Sequence, residues 1–99
     1  MSKSILQKDK KCYITGQTKG LHKHHIFGGP NRKKSEQWGC WIYLIPHYHN
    51  MSNEGVHFDR ALDLKIKREC QRKFESMYGH ALFMREFGKS YLEGDYYGS

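Results

Sequence analysis

"LHKHHIFGG", residues 21–29, sets three imidazoles within four positions of a β-prone run and then stops on two glycines. "CWIYLIPHYHN", residues 40–50, answers it with a second apolar run, stopped by Pro46, and two more histidines. Both runs have the β-branched and aromatic content of strands, and each ends at a residue that breaks one. Read together they are the two arms of a β-hairpin. Between them "GGPNRKKSEQWG", residues 28–39, is rich in Gly, Pro, Asn and Ser and predicts a long basic loop. Upstream, "CYITG" at 12–16 predicts another short strand before a glycine turn.

The period then changes. From about Asn53 onward Phe58, Leu62, Ile66, Cys70, Phe74 and Met77 recur every three or four residues, the spacing of one helical face. Asp63 with Lys67 and Lys65 with Glu69 supply (i, i+4) pairs on the outer side. Gly79 is predicted to end this long helix, and "HALFMREFG" predicts a short C-terminal helix closed by Gly88. The fold class is therefore α+β. A flexible basic lead occupies 1–11, one folded domain 12–90, and an aromatic tail 91–99.

Composition narrows the class of function. A chain of 99 residues is one small domain, burying only about 60–65% of its unfolded surface. Lys and Arg outnumber Asp and Glu by 17 to 10, for a formal charge of +7. That field concentrates polyanions, with nucleic acid the leading partner. The longest apolar run, residues 40–45, is far too short to cross a bilayer, and no signal core follows the first lysines, so no membrane role is expected. Three widely spaced cysteines, Cys12, Cys40 and Cys70, make no disulfide framework and point to a reducing cytoplasm.

Six of the seven histidines, His22, His24, His25, His47, His49 and His57, fall in the hairpin and the approach to the long helix. Singly each is an ordinary polar residue; together they predict a shared metal ion. On one continuous helix His49 and His57 would lie about 12 Å apart along the axis, too far for two bonds of about 2 Å to one ion. The intervening "NMSNEG" favours a turn that folds them together. A further ligand must then come from the first arm of the hairpin.

Three pieces, "HHIFGG" at 24–29, "WIYLIPHYHN" at 41–50 and "EGVHF" at 54–58, resemble in order and spacing the HNH nucleases of the ββα-metal fold, over roughly residues 12–75. The wording is similar to small HNH proteins of bacteriophages, which implies a phage-infected or prophage-carrying bacterial host. The resemblance implies a metal-dependent DNA endonuclease: His24, His49 and His57 hold one divalent ion, and His25 is the general base that activates water. Three imidazoles suit Zn²⁺, Ni²⁺, Co²⁺ or Mn²⁺ and hold Mg²⁺ less well. Double-stranded DNA is the implied substrate. A single site of this kind nicks one strand, and cutting both requires a homodimer or two encounters.

The sequence also departs from the family. The two Cys-x-x-Cys pairs of a structural zinc would fall on Cys12 with Thr15 and Ile45 with Tyr48, so no structural zinc is expected. Where the family places the asparagine that orients the base stands Cys40, leaving a carbonyl near Cys40 or Trp41, or the Asn31 side chain, to do that work. Consecutive strand residues face opposite sides of a sheet, so a site shared by His24 and His25 requires the strand to bend at Gly28 and Gly29. Arg32, Lys33 and Lys34 are expected to contact phosphates. The competing readings are an HNH-fold nucleic-acid-binding module without catalysis and a metal-stabilised interaction protein, and the competing ligand set is a purely structural clip of His22, His24, His47 and His49.

Overall fold

The structure, a computed structural model, describes residues 3–49, 55 and 59–92. It is an α+β fold built on one two-stranded antiparallel sheet. Strand β1, His22–His25, pairs with β2, Trp41–Leu44, in the register His22↔Leu44, Lys23↔Tyr43, His24↔Ile42 and His25↔Trp41. Among the described residues four α-helices complete it: α1 at Arg32–Trp38, α2 at Pro46–His49, α3 at Arg60–Tyr78 and α4 at His80–Phe87.

The hairpin arms stand where the two apolar runs placed them. Their connection does not. The predicted basic loop is a 3-10 turn at Gly29–Asn31 followed by helix α1. Pro30 needs no backbone N–H in a first turn, the following Arg-Lys-Lys-Ser-Glu-Gln run has good helix propensity, and Gly39 closes the helix at a left-handed φ of 75°. Ser35 locks it down. Its fully buried hydroxyl donates to the Phe27 carbonyl at 2.7 Å and accepts from the Phe27 N–H at 3.0 Å.

The strand expected at 12–16 is also corrected. Only one isolated parallel bridge, Cys12 to Tyr43, joins it to the sheet. The Gly16 N–H returns to the Cys12 carbonyl and the Cys12 N–H bonds the Gln17 carbonyl, so the segment satisfies its backbone groups as a turn. Residues 4–7, inside the expected flexible lead, run along the outer edge of β2. There the Ser4 hydroxyl donates to the Trp41 carbonyl, the Tyr43 N–H donates to Gln7 Oε1, and Ile5 and Leu6 pack on the core. Among the described residues β2 is thus flanked on both sides, and β1 is the open edge.

Helix α3 begins at Arg60, not near Asn53, because Asp59 caps it: its carboxylate accepts the Leu62 N–H at 3.1 Å. Ile66, Cys70 and Phe74 of the periodic stripe are buried, and Asp63 pairs with Lys67 at 2.8 Å. Met77 is exposed instead. In its place the core takes Gln71, whose amide is satisfied by Glu75, Ser90 and the Tyr91 N–H. Gly79 and Gly88 end α3 and α4 as the pattern requires. Phe27 joins Phe74, Phe83 and Phe87 in an aromatic cluster at ring separations of 4.7–5.8 Å, the packed centre that fixes hairpin to helices.

Candidate functional site

Strand alternation divides the histidines. His22 and His24 share the face of β1 that carries Leu44 and Ile42 opposite, while Lys23 and His25 share the other face with Tyr43 and Trp41. His24 and His25 stay on opposite faces, since both are paired within the register, opposite Ile42 and Trp41. They meet another way. Both line a cleft of about 310 Å³ together with Lys23, Gly28, Gly29, Arg32 and His49. The open edge of β1 is where the two faces of the sheet can border one space.

On the first face the imidazoles gather. His49 ends α2, the single turn that Pro46 begins after β2. Its ring lies 5.2 Å from that of His22 and 5.3 Å from that of buried His24, both edge to face. The Nδ1 atoms of His22 and His49 are 3.1 Å apart. That spacing suits an N–H···N hydrogen bond, and it is also close to the roughly 3.3 Å between two nitrogens on one tetrahedral ion. The imidazole donor set suits the borderline divalent ions. Among the described residues, no three His, Cys, Asp or Glu side chains stand placed to hold a metal as they are. His57, expected as the third ligand, lies outside the described residues. Gly55 marks the chain's return, because a Cβ there would sit 3.1 Å from the His49 carbonyl.

On the second face stands a residue that the sequence reading missed. His25 Nε2 lies 2.9 Å from Glu36 Oε1 on α1. A carboxylate only accepts, so a neutral His25 must donate Nε2–H and keep its lone pair on Nδ1. Among the described residues that Nδ1 has no hydrogen-bond partner. Lys23 Nζ closes the other side of the carboxylate at 2.8 and 3.0 Å. The Lys23 ammonium first, then His25, hold the Glu36 carboxyl below its ordinary range. Lys23 also lies over the Trp41 ring, 4.1 Å from its centroid. The chain therefore offers a basic imidazole nitrogen whose opposite nitrogen is fixed by a carboxylate.

Neither expected orienter of His25 is in that role. Asn31 donates from its amide to the Phe87 carbonyl at 3.2 Å, tying α1 to the end of α4. Cys40 is fully buried with its thiol on Cys70, whose own thiol that contact and burial push far up. The Cys40 carbonyl takes the Ile26 N–H, and the Trp41 carbonyl takes Ser4. Of the three cations expected on phosphate, Arg32 and Lys33 are exposed on the first turn of α1, and Lys34 pairs with Glu86 at 3.0 Å. His47 is exposed with its ring against Tyr48, so the imidazoles that gather are His22, His24 and His49 and not the four of the clip. His80 sits apart on Glu75.

Among the described residues no helix is long and apolar enough to cross a membrane. Compared with protein-family models, with curated proteins and with solved structures, the chain matches none of them.

Proposed function

We propose that the protein is a metal-dependent DNA endonuclease whose hairpin and α3 form a ββα-metal unit. The observation that carries this reading is the pairing of His25 with Glu36 beside the His24 and His49 imidazoles, around one cleft. His25 takes a proton from water through Nδ1 as that water attacks the phosphate in line. Imidazole is the side chain best suited to proton transfer at neutral pH. Glu36, acting through Nε2–H, holds the ring's orientation and balances the positive charge that His25 gains. His24, His49 and His57 would hold the divalent ion, which when bound supplies charge stabilisation to the phosphate and the departing 3′ oxygen. Arg32, which lines the cleft, and Lys33, exposed next to it on α1, neutralise flanking phosphates.

Supercoiled plasmid incubated with the protein and Mn²⁺, Mg²⁺, Ni²⁺ or Zn²⁺ tests this directly. Conversion to the nicked circle, lost in His25→Ala while calorimetric metal binding survives, is the expected result. Equal gel shifts by both proteins with no nicking under any ion would replace the enzyme with a binding module.

A further inference from the structure

Positive charge also gathers away from the segment after β1. The N-terminal stretch, laid along β2 by Ser4 and Gln7, builds one wall of a second cleft of about 640 Å³ on the outer face of the sheet. Lys3, Lys8, Lys10 and Lys23 line it against a single acidic residue, Asp9, and its floor is the aromatic pair Trp41 and Tyr43. The two rings meet edge to face at 5.3 Å. Lys23 and Lys10 are held over them, at 4.1 and 5.6 Å from the ring centroids. Among the described residues, Lys3, Lys8 and Lys10 have no carboxylate partner. Three ammonium groups outside any ion pair, facing one carboxylate, leave this wall with a net positive charge that attracts a polyanion.

Lys23 belongs to both clefts. It stands on the same face of β1 as His25 and shares Glu36 with it. A chain of phosphates crossing the aromatic floor would therefore pass Lys23 and arrive at His25.

We infer that this lysine and aromatic cleft is the main nucleic-acid track of the protein, seating the sugar-phosphate backbone of the DNA strand on Lys3, Lys8 and Lys10 and leading it to His25. The inference rests on the nuclease reading for its destination, but the track itself is a matter of binding. Lysines neutralise phosphates without reading bases, so binding is independent of sequence and steeply dependent on salt. Trp41 is 8% exposed, so it acts as a floor for the ammonium groups and not as an intercalating wedge.

The test uses His25→Ala protein, which leaves DNA intact, and a fluorescein-labelled 20-base-pair duplex followed by anisotropy from low to moderate salt. Lys3→Gln, Lys8→Gln and Lys10→Gln are combined in one variant and compared with a charge-matched control, Lys19→Gln, Lys65→Gln and Arg85→Gln. Losing three phosphate contacts should flatten the plot of log K against log salt by about 2–3 units and weaken binding about 10²-fold at 0.1 M salt. The control should stay within about threefold, as expected of charges outside the track. In a second measurement, duplex added to isotope-labelled protein should shift the backbone amides of Gln7, Lys23 and Tyr43 and leave those of α4 in place. Equal losses in both triple variants, or amide shifts centred on α4, overturn the track. Failure of the enzyme reading looks different: binding that depends on the cleft, without nicking by the unmodified protein, removes the nuclease and keeps the track. Nicking with binding indifferent to the three lysines does the reverse.

Discussion

Replacing Glu36 is the sharpest probe of the proposed chemistry, because this carboxylate bonds the ring of the proposed base directly. Hydrogen bonds to a charged group contribute about 1.5–3 kcal/mol. The Glu36 side chain is 36% exposed and shares Oε1 between His25 and Lys23, so the lower end applies. At about 1.4 kcal/mol per factor of ten, Glu36→Ala should slow nicking about tenfold at saturating DNA. Glu36→Gln keeps an amide oxygen that still accepts Nε2–H but drops the charge, and should cost about threefold. His25→Ala should cost more, about 10²–10⁴-fold. The assay is plasmid nicking at fixed Mn²⁺, with kcat and KM separated by varying DNA. KM should stay level or fall, since Lys23 is freed. In the His25→Ala background Glu36→Ala should have no further effect, because both substitutions remove one device. A Glu36→Ala enzyme within twofold of the original, or an effect of equal size in both backgrounds, would refute the positioning role.

Four further outcomes follow from the packing. Ser35→Ala strands both the N–H and the carbonyl of buried Phe27, and should lower stability by about 2–4 kcal/mol in urea unfolding. Gly39→Ala and Gly88→Ala both force alanine to positive φ, at 75° and 76°, but only the Cβ at 39 runs into the Lys3 carbonyl. The second should cost about 1–2 kcal/mol, and the first clearly more, with Ile5 and Leu6 released to protease. Phe83→Ala empties the middle of the aromatic cluster and should cost about 3–5 kcal/mol by the same unfolding assay. The Tyr13 hydroxyl is pushed up to about 12 by burial and by its bond to Glu69. Its stabilising contribution is therefore intact below about pH 10 and lost as pH rises towards 12. Stability curves of the original protein and Tyr13→Phe should converge over that window, and parallel curves would contradict the bond.

What could be read from the chain alone depended on whether a local pattern or a tertiary contact decided the outcome. The hairpin arms and α3 were legible because period and stop signals are local: Ile66, Cys70 and Phe74 repeat on one face, and Pro46, Gly79 and Gly88 punctuate. α1 was not, because its opening glycines and proline outweighed seven residues that are individually good in helices. The signal that could have found it is Pro30 at a first turn with Gly39 one step beyond Trp38, a helix's start and stop in the proper order. That single misreading hid Glu36. In a loop, a glutamate among three cations is a solvated charge. On a helix pinned to Phe27 through Ser35, it is carried one residue past that anchor to the outer face of β1, where Lys23 and His25 stand two apart on the same side. The same anchoring accounts for the vacancy of the Asn31 role, since fixing α1 at Phe27 turns its N-terminal end toward α4 and the Phe87 carbonyl. The His25 ring is held by Glu36, and position 40 carries a buried thiol packed on Cys70 instead.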